Sequence, residues 1–173
     1  MAIFHLQAGI ISRGAGRSVV AAAAWQNSCR LYDERLGRFS NFRNKRVVVW
    51  SELMLPPGAP ACGKDREGFW NALEAAEIRK DAQLARQYDV ALPDELDLLE
   101  SIAVVRRFAG EIFWVAGFAA DLTLIEMGDT PRGKRHHGYA LIPTRPIVDG
   151  VFGQKPREME QPREAARNPC RLG

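Results

Sequence analysis

Two strand-like segments near the end of the chain constrain the fold more than any other feature. Residues 119–126 and 139–144 are rich in β-favouring side chains, and the basic loop PRGKRHHG lies before the second segment. This loop is too short for the crossover that a parallel pair of strands requires. The two segments are therefore expected to pair antiparallel.

The remainder of the chain alternates between strand and helix patterns. Strands are predicted at residues 3–11, 47–55 and 87–92, and helices at residues 18–29, 65–80 and 93–115. Ser18 is suited to cap the first helix, and the polar stretch 32–46 is expected to form a loop or an irregular hairpin. Together with the antiparallel pair, this order predicts an α+β fold with a central, mainly antiparallel sheet and flanking helices.

The chain has the size of one globular domain. Its 173 residues are 46% hydrophobic and 26% charged, which excludes wholesale disorder and fibrous repeats. Residues 1–155 are assigned to this domain. Residues 156–173, where prolines and charges interrupt any apolar period, are expected to form a short, poorly ordered basic tail.

The sequence gives no sign of secretion or of a membrane span. No apolar run approaches the roughly 18 residues of a membrane-spanning helix, and the start of the chain lacks the pattern of a signal peptide. Cys29, Cys62 and Cys170 are odd in number and far apart, so they suggest neither a disulfide framework nor a metal knuckle. A cytoplasmic protein with reduced thiols and no membrane partner is expected.

Basic residues concentrate at both ends of the chain. Residues 1–46 carry eight Lys or Arg against two Asp or Glu, residues 47–130 carry seven against fifteen, and residues 131–173 carry nine against four. If folding brings the ends together, they form a basic face for a polyanion. The alternative is that both ends are solvated surface charge.

A possible phosphate site lies where the first predicted strand meets the first predicted helix. Arg13 and Arg17 flank a glycine-rich turn ahead of a helix N-terminus, where cations and backbone N–H groups favour an anion. The sequence GAGRS lacks the spacing and the lysine of a nucleotide-binding P-loop.

Five blocks of the sequence, in order, resemble the MobA/MobL family of mobilisation proteins. The blocks are MAIFHLQAGIISRGAGRSVVAAAAW, RLYDERLGRF, SELMLPPGAP, DREGFWNALEAAEIRKDAQLARQYDVALP and GDTPRGKRHHGYALIPTR. The resemblance covers nearly all of residues 1–155. It implies a relaxase-like domain, similar to other His-hydrophobic-His endonucleases, that nicks one DNA strand at the transfer origin of a plasmid.

The family's chemistry requires a nucleophile and a cation. A tyrosine attacks the phosphodiester while a divalent metal, held by three imidazoles on neighbouring strands, polarises the phosphate. The resemblance implies a covalent 5′-phosphotyrosine product and a free 3′-hydroxyl, so that the strand can later be rejoined.

This sequence departs from the family pattern at those positions. The family has its nucleophile in an Ala-Ala-Ala-Tyr run, whereas here the run ends in Trp25, whose indole cannot attack phosphorus. When ALIPTR is matched, the paired imidazoles align to His137 and Tyr139, and the third imidazole aligns to Ile125. Of the three expected ligands, the resemblance leaves only His137.

Other residues of the chain could take the place of the missing metal ligands and of the missing nucleophile. His136, Glu126 and Asp129, together with His137, could form a mixed site for Mg or Mn, or they are ordinary residues of a strand end and loop. Tyr32 follows Trp25 by two helical turns, so it is a candidate nucleophile if the helix continues, or else a packing aromatic.

The resemblance also implies contacts with DNA. His5 matches a histidine at the start of family members. With the basic residues it completes the predicted DNA-contact set, which is His5, Arg13, Arg17, Arg43, Lys45, Arg46, Lys134, Arg135 and Arg145. The expected partners are single-stranded or hairpin transfer-origin DNA and other mobilisation proteins.

Three functions remain open at this stage. The first is a relaxase-family DNA-binding domain with lost or weakened nicking, which needs no metal. The second is an active DNA strand transferase that uses Tyr32 and a rebuilt Mg or Mn site. The third is a non-enzymatic accessory protein or a decayed, truncated reading frame.

Overall fold

A five-stranded antiparallel sheet forms the centre of the protein in a computed structural model that describes residues 5–59, 65–131 and 133–157. The strands are β1 (His5–Ser12), β2 (Arg30–Asp33), β3 (Arg38–Asn41), β4 (Val47–Met54), β5 (Gln83–Ala91), β6 (Ala120–Thr130), β7 (Gly133–Pro143), β8 (Ile147–Val148) and β9 (Val151–Phe152). The helices are α1 (Val19–Gln26), α2 (Arg66–Ala76) and α3 (Leu98–Ile112). The central sheet has the order β1-β5-β7-β6-β4, which confirms the predicted α+β class.

Helices cover both faces of this sheet. Because successive side chains of a strand point to opposite faces, β7 places Leu141 in the core beneath α1 and α2, and Ala140 and Ile142 in the core beneath α3. We call these the α1 face and the α3 face. Trp70 and Leu73 of α2 are fully buried on the α1 face.

Helix α1 is shorter than the sequence predicts. Ser18 caps it as expected, since its Oγ accepts a hydrogen bond from the Ala21 backbone N–H at 3.1 Å. The helix ends at Gln26 rather than Cys29, and Ser28 has a φ of 48°, which turns the chain towards β2. Tyr32 therefore does not lie on a continuation of α1.

The polar stretch after α1 forms a hairpin, one of the two predicted outcomes. Strands β2 and β3 pair antiparallel, and Gly37 has a φ of 63° in the turn between them. Leu31 is buried in the core of the α1 face. The hairpin thus packs beside α1 through one of its faces.

Several element boundaries differ from the sequence prediction. Strand β5 begins at Gln83, four residues before the predicted start, and α2 ends at Ala76, so Lys80 lies outside it. Helix α3 begins after Asp97, whose side chain and that of Glu100 cap each other's backbone N–H groups. The sequence predicts a helix that Pro93 and Asp94 open, but the observed N-cap, Asp97, lies three residues after Asp94.

The basic loop PRGKRHHG is largely a strand. Strands β6 and β7 keep pairing beyond their apolar segments as far as Thr130 and Gly133. Ladder hydrogen bonds require only backbone groups, so the pairing continues where the side chains are polar. A prediction from apolar side chains therefore ended β6 too early and began β7 too late.

Part of the sequence prediction lies outside the described residues. This applies to the start of the first strand, to Cys62 and Cys170, and to residues 158–173 of the predicted tail. Among the helices in the described part of the chain, none has the length and apolar character to cross a membrane.

Candidate functional site

Two adjacent rows of paired residues cross the α1 face of the sheet. One row is His5–Ala91–His137–Ile125, and the next is Gln7–Asp89–Tyr139–Thr123. Directly paired residues on neighbouring strands point to the same face. The sheet therefore places Ile125, His137 and Tyr139, the three positions matched to the family's metal ligands, side by side.

A buried hydrogen-bond network fixes α1 over these rows. Gln26 Nε2 donates to the Asp121 carbonyl at 2.8 Å, and Thr123 Oγ1 donates to Asn27 Oδ1 at 2.6 Å. The fully buried Asp121 carboxylate also accepts from Trp70 Nε1 of α2 at 2.9 Å. Because every partner is buried and polar, the end of α1 is held at one position on the sheet.

A second acidic residue fixes the beginning of α1. Glu74 of α2 accepts a hydrogen bond from the Val19 backbone N–H at 3.1 Å and forms ion pairs with Arg13 at 2.8 Å and Arg35 at 3.0 Å. A carboxylate at a helix N-terminus also interacts favourably with the helix dipole. Both ends of α1 are thus tied to α2 or to the sheet.

This anchoring places Trp25, the aromatic residue of α1, against Tyr139 of the second row. Its ring meets that of Tyr139 edge-on, with 5.7 Å between centroids, and the His137 ring lies 5.0 Å from that of Tyr139. The structure therefore brings together Trp25, His137 and Tyr139, with Ile125 paired to His137 on the neighbouring strand.

The guanidinium of Arg46 lies among these aromatic rings. Its Cζ is 3.4 Å from the centroid of the Trp25 ring and 4.7 Å from that of Tyr139, and its Nη2 donates to the Trp25 carbonyl at 3.2 Å. Burial lowers the pKa of Arg46, an effect opposed by the Tyr139 phenol and Asp89. Burial also raises the pKa of the Tyr139 phenol, which disfavours its anionic, nucleophilic form.

The loop between β3 and β4 sets the position of Arg46. Ser28 Oγ accepts hydrogen bonds from the backbone N–H groups of Lys45 and Arg46, at 3.0 and 3.1 Å, and donates to the Phe42 carbonyl at 2.9 Å. These bonds tie the loop to the end of α1. Arg46 consequently extends over Trp25, although the two residues are 21 positions apart.

Asp89 is a site residue that sequence reasoning missed. Its Oδ1 is hydrogen-bonded to His137 Nε2, and it lies in the same row as Tyr139. The sequence feature that could have indicated Asp89 is the alternation of side chains along β5, which puts Asp89 and Gln87 on one face. That signal alone does not show which neighbouring strand supplies the partner.

The residues at this site do not fit a divalent cation. Ile125 offers no donor atom, Tyr139 is a phenol with a raised pKa, and His137 is already bonded to Asp89. The positively charged Arg46 lies beside them. Among residues 5–59, 65–131 and 133–157, no group of three or more His, Cys, Asp or Glu side chains is arranged to hold a metal ion.

The proposed replacement ligands lie elsewhere. His136 precedes His137 on β7 and so points to the α3 face, where it is buried with its Nδ1 unpartnered. Glu126 and Asp129 both bind the Lys134 ammonium, at 2.9 and 2.8 Å. Both carboxylates thus face the Lys134 ammonium, and they do not converge on His137.

Tyr32 also lies apart from the site. Leu31 and Asp33, which flank it, point into the protein, and Tyr32 packs on Phe39 with 4.9 Å between ring centroids. Its ring is therefore on the face of the hairpin away from α1. The structure places it with Phe39 and the Arg30 guanidinium that stacks on Phe39, not with Trp25.

The predicted DNA-contact set divides into paired and exposed residues. Four of its cations form ion pairs, which are Arg13 with Glu74, Lys134 with Glu126 and Asp129, Arg135 with Asp94, and Arg145 with Glu77. Arg13 and Arg145 are also largely buried, so their charges stabilise the fold. His5, Arg17, Arg43 and Lys45 are exposed, and Arg46 is half-buried.

A groove between α1 and the β2–β3 hairpin collects further cations. One part, of about 350 Å³, runs from Gly16 along α1 to Trp25 and Gln87, and an adjoining part, of about 420 Å³, ends at Lys80. The two parts share Arg17 and Arg38. All charged residues in the lining are basic, and they are Arg13, Arg17, Arg35, Arg38 and Lys80. Sequence reasoning missed Arg35, Arg38 and Lys80, because total charge does not reveal a shared groove.

Comparison with known proteins finds relatives over most of the chain. The chain is 38% identical over 165 residues to the conjugal transfer protein TraA of Rhizobium radiobacter, a match that covers 90% of this chain and 14% of TraA. It is 35% identical over 182 residues to the mobilization protein MobL of Acidithiobacillus ferridurans, covering 92% of this chain and 47% of MobL. The chain thus spans less than half the length of these relatives.

A solved structure has the same fold. It is described as "Molecular Basis of Vancomycin Resistance Transfer in Staphylococcus aureus", and it superposes with a TM-score of 0.78 at 26% identity, covering 96% of this chain and 83% of its own. The sequence profile of the MobA/MobL family matches residues 17–171. With its relaxase-like fold and these conjugal transfer and mobilisation relatives, the chain belongs to the MobA/MobL family.

Proposed function

We propose that this chain is a single-stranded DNA-binding domain of plasmid mobilisation that has lost the nicking reaction. The observation that carries this proposal is the position of Trp25, which lies at the end of α1 against Tyr139, the neighbour of His137. The family's nucleophile matches this position, and an indole has no oxygen with which to attack a phosphodiester. The ligand of this domain is single-stranded or hairpin DNA at a transfer origin. Nicking of that DNA requires other mobilisation proteins.

The basic groove supports binding of a polyanion. Arg17 and Arg38 line both of its parts, and neither has a carboxylate partner among the described residues. Trp25, which is 39% exposed, lies at the end of the groove and offers an aromatic surface for stacking by a base. Cations along a groove together with an exposed aromatic ring are typical of single-strand binding.

The three tyrosines of the chain bear on the loss of nicking. Tyr32 lies on the outer face of the hairpin, and Tyr88 packs against Phe108 and Phe113 on the α3 face. Tyr139 lies at the site, but burial raises the pKa of its phenol. These placements favour a site that binds DNA without forming a phosphotyrosine bond.

The test is a covalent-adduct assay that needs no known origin sequence. The protein is incubated in Mn²⁺ with a single-stranded oligonucleotide library of random central sequence, labelled with fluorescein at the 3′ end. Denaturing gel electrophoresis detects a 5′-phosphotyrosine adduct, because the labelled 3′ segment would remain attached to the protein. A native gel of the same mixture measures binding.

The expected result is a shifted band on the native gel and no label on the denatured protein. A labelled adduct that is absent from Tyr139→Phe or Tyr32→Phe protein would show an active strand transferase and identify its nucleophile. The absence of a shifted band at low salt, where phosphate contacts are strongest, would instead favour an accessory protein or a decayed reading frame.

A further inference from the structure

We propose that the Arg46 guanidinium replaces the divalent cation of the family's site and binds a DNA phosphate directly, so that DNA binding by this chain is independent of metal. This inference rests on the proposed function. It concerns a residue that charge patterning selects only as one of many surface cations. The first argument is position, since Arg46 lies between Trp25 at the nucleophile position and Tyr139 at a ligand position.

The second argument is chemical. A guanidinium carries a permanent positive charge and five N–H donors in a plane, which matches the oxygens of a phosphate. Arg46 uses Nη2 to bind the Trp25 carbonyl, and its guanidinium also interacts with the Tyr139 hydroxyl, whereas its Nη1 is shielded from solvent and makes no hydrogen bond of good geometry among the described residues. Native proteins rarely leave such a donor unpaired. A phosphate oxygen that enters beside Trp25 would supply the acceptor.

The third argument is the rigidity of the arrangement. The Trp25 ring stacks on the guanidinium, and Ser28 holds the backbone N–H of Arg46. A cation above an indole is stabilised by the ring's negative face and loses part of its rotational freedom. Arg46 is therefore oriented before DNA binds, as a cation that positions a phosphate must be.

The fourth argument is the electrostatic balance of the site. The carboxylate of Asp89 is the acidic group that influences Arg46, and it is hydrogen-bonded to His137. Tyr139 and Ile125 add no charge at neutral pH. Because Asp89 is hydrogen-bonded to His137 and forms no ion pair with Arg46 among the described residues, the guanidinium stays available to an anion, and the cluster lacks the several carboxylate or imidazole donors that would hold Mg²⁺ or Mn²⁺.

The first experiment measures binding of a fluorescein-labelled 20-mer of deoxythymidine by fluorescence anisotropy. Affinity is compared in EDTA and in Mn²⁺ at equal ionic strength, for the wild type, Arg46→Gln, Arg46→Lys and Arg107→Gln. Arg107 is the matched control because it is an exposed arginine of α3, paired with Glu111. Circular dichroism verifies that each variant is folded.

The wild type is expected to bind equally, within about twofold, in EDTA and in Mn²⁺. Arg46→Gln should weaken binding about tenfold, the loss of one charge-assisted contact. Arg46→Lys should recover part of that loss, while Arg107→Gln should match the wild type. Binding that requires Mn²⁺, or Arg46→Gln behaving like Arg107→Gln, overturns this inference but leaves the proposed function intact. No binding in either buffer overturns both.

A second experiment, without DNA, tests whether Arg46 occupies the position of the metal ion. Calorimetric titration with MnCl₂ compares the Ile125→His, Tyr139→His double variant with the same protein carrying Arg46→Ser in addition. If the guanidinium occupies the cation position, Mn²⁺ should bind at least about tenfold more tightly once Arg46 is removed, because like charges repel. Equal Mn²⁺ affinity of the two proteins would show that Arg46 lies outside that position.

Discussion

Trp25 and Tyr139 touch edge to face, with 5.7 Å between their ring centroids and an angle of 77° between their planes. The contact joins the end of α1 to the middle strand of the sheet. By the sequence resemblance, these two positions match an attacking phenol and a metal-binding imidazole in family members. Here they form an aromatic pair, which is a stable packing arrangement and supplies a surface for a base.

Replacing Trp25 with alanine should weaken binding of single-stranded DNA. Loss of a stacked base costs about 1–3 kcal/mol, which corresponds to a decrease in affinity of roughly 5-fold to 150-fold. Trp25→Phe should retain much of the affinity. Fluorescence anisotropy measures the effect, and Phe39→Ala is the control, because Phe39 is 52% exposed on the outer face of the hairpin. Equal losses in both alanine variants would contradict a specific role for Trp25.

Replacing Arg38 with glutamine should reduce the salt dependence of DNA binding. Arg38 lines both parts of the basic groove. Removal of one phosphate contact to a single strand lowers the slope of log affinity against log salt by about 0.7. Titrations at several salt concentrations measure the slope, with Arg107→Gln as the control of equal charge. Equal slopes in the two variants would show that DNA does not bind along the groove.

The fold was more predictable from the sequence than the site. Antiparallel pairing of β6 with β7 follows from the short connection between them, and the α1 cap follows from Ser18. The predicted end of β6 and the predicted start of β7 were wrong because backbone pairing continues beyond apolar side chains. In these places the hydrogen bonds of the sheet, rather than local propensity, set the boundary.

Charge patterning alone could not separate binding residues from structural ones. Arg13 and Glu74 are 61 residues apart in sequence, yet form a buried ion pair, and Arg145 pairs with Glu77 across 68 residues. The same limit applies to Arg46, since its place over Trp25 depends on the loop that Ser28 holds. Contacts between distant segments are absent from local patterns, so only the folded chain reveals them.

Replacing Arg13 with glutamine should lower stability rather than DNA affinity. Arg13 donates to the Glu74 carboxylate and to the backbone carbonyls of Glu74 and Glu77. Without Arg13, the buried Glu74 carboxylate keeps only the more exposed Arg35 as its cationic partner, and we expect the free energy of unfolding to fall by about 2–4 kcal/mol. Urea denaturation measures this loss. The control is Arg79→Gln, which breaks an exposed pair with Asp81 and should cost about 0.5 kcal/mol or less.

The salt dependence of DNA binding by Arg13→Gln distinguishes a structural role of Arg13 from a role in contacting phosphate. The salt slope of binding should match that of the wild type under conditions where the variant is folded. A reduced slope without a loss of stability would instead show that Arg13 leaves Glu74 to contact a phosphate.

Stability should fall in acid partly through Glu77. Burial raises the pKa of this carboxyl, but hydrogen bonds and charges from Arg145 and Lys155 outweigh burial, so its pKa in the folded protein lies below the ordinary value of 4.5. The unfolded state therefore takes up the proton first as pH falls. The stabilisation is fully present above about pH 4.5 and is lost as pH falls through the lower, folded-state pKa.

Glu77→Gln isolates this contribution, because it keeps the shape of the side chain and removes its charge. At pH 7 the variant should be less stable than the wild type by about 1–3 kcal/mol, the range for a charged hydrogen-bonding partner lost from a buried site. The two unfolding free energies, measured by urea denaturation between pH 3 and pH 7, should converge below about pH 4.5. Glu111→Gln, at an exposed pair on α3, should follow the wild-type curve throughout. A gap between Glu77→Gln and the wild type that stays constant with pH would mean that the charge of Glu77 does not stabilise the fold, and that its contacts act through packing alone.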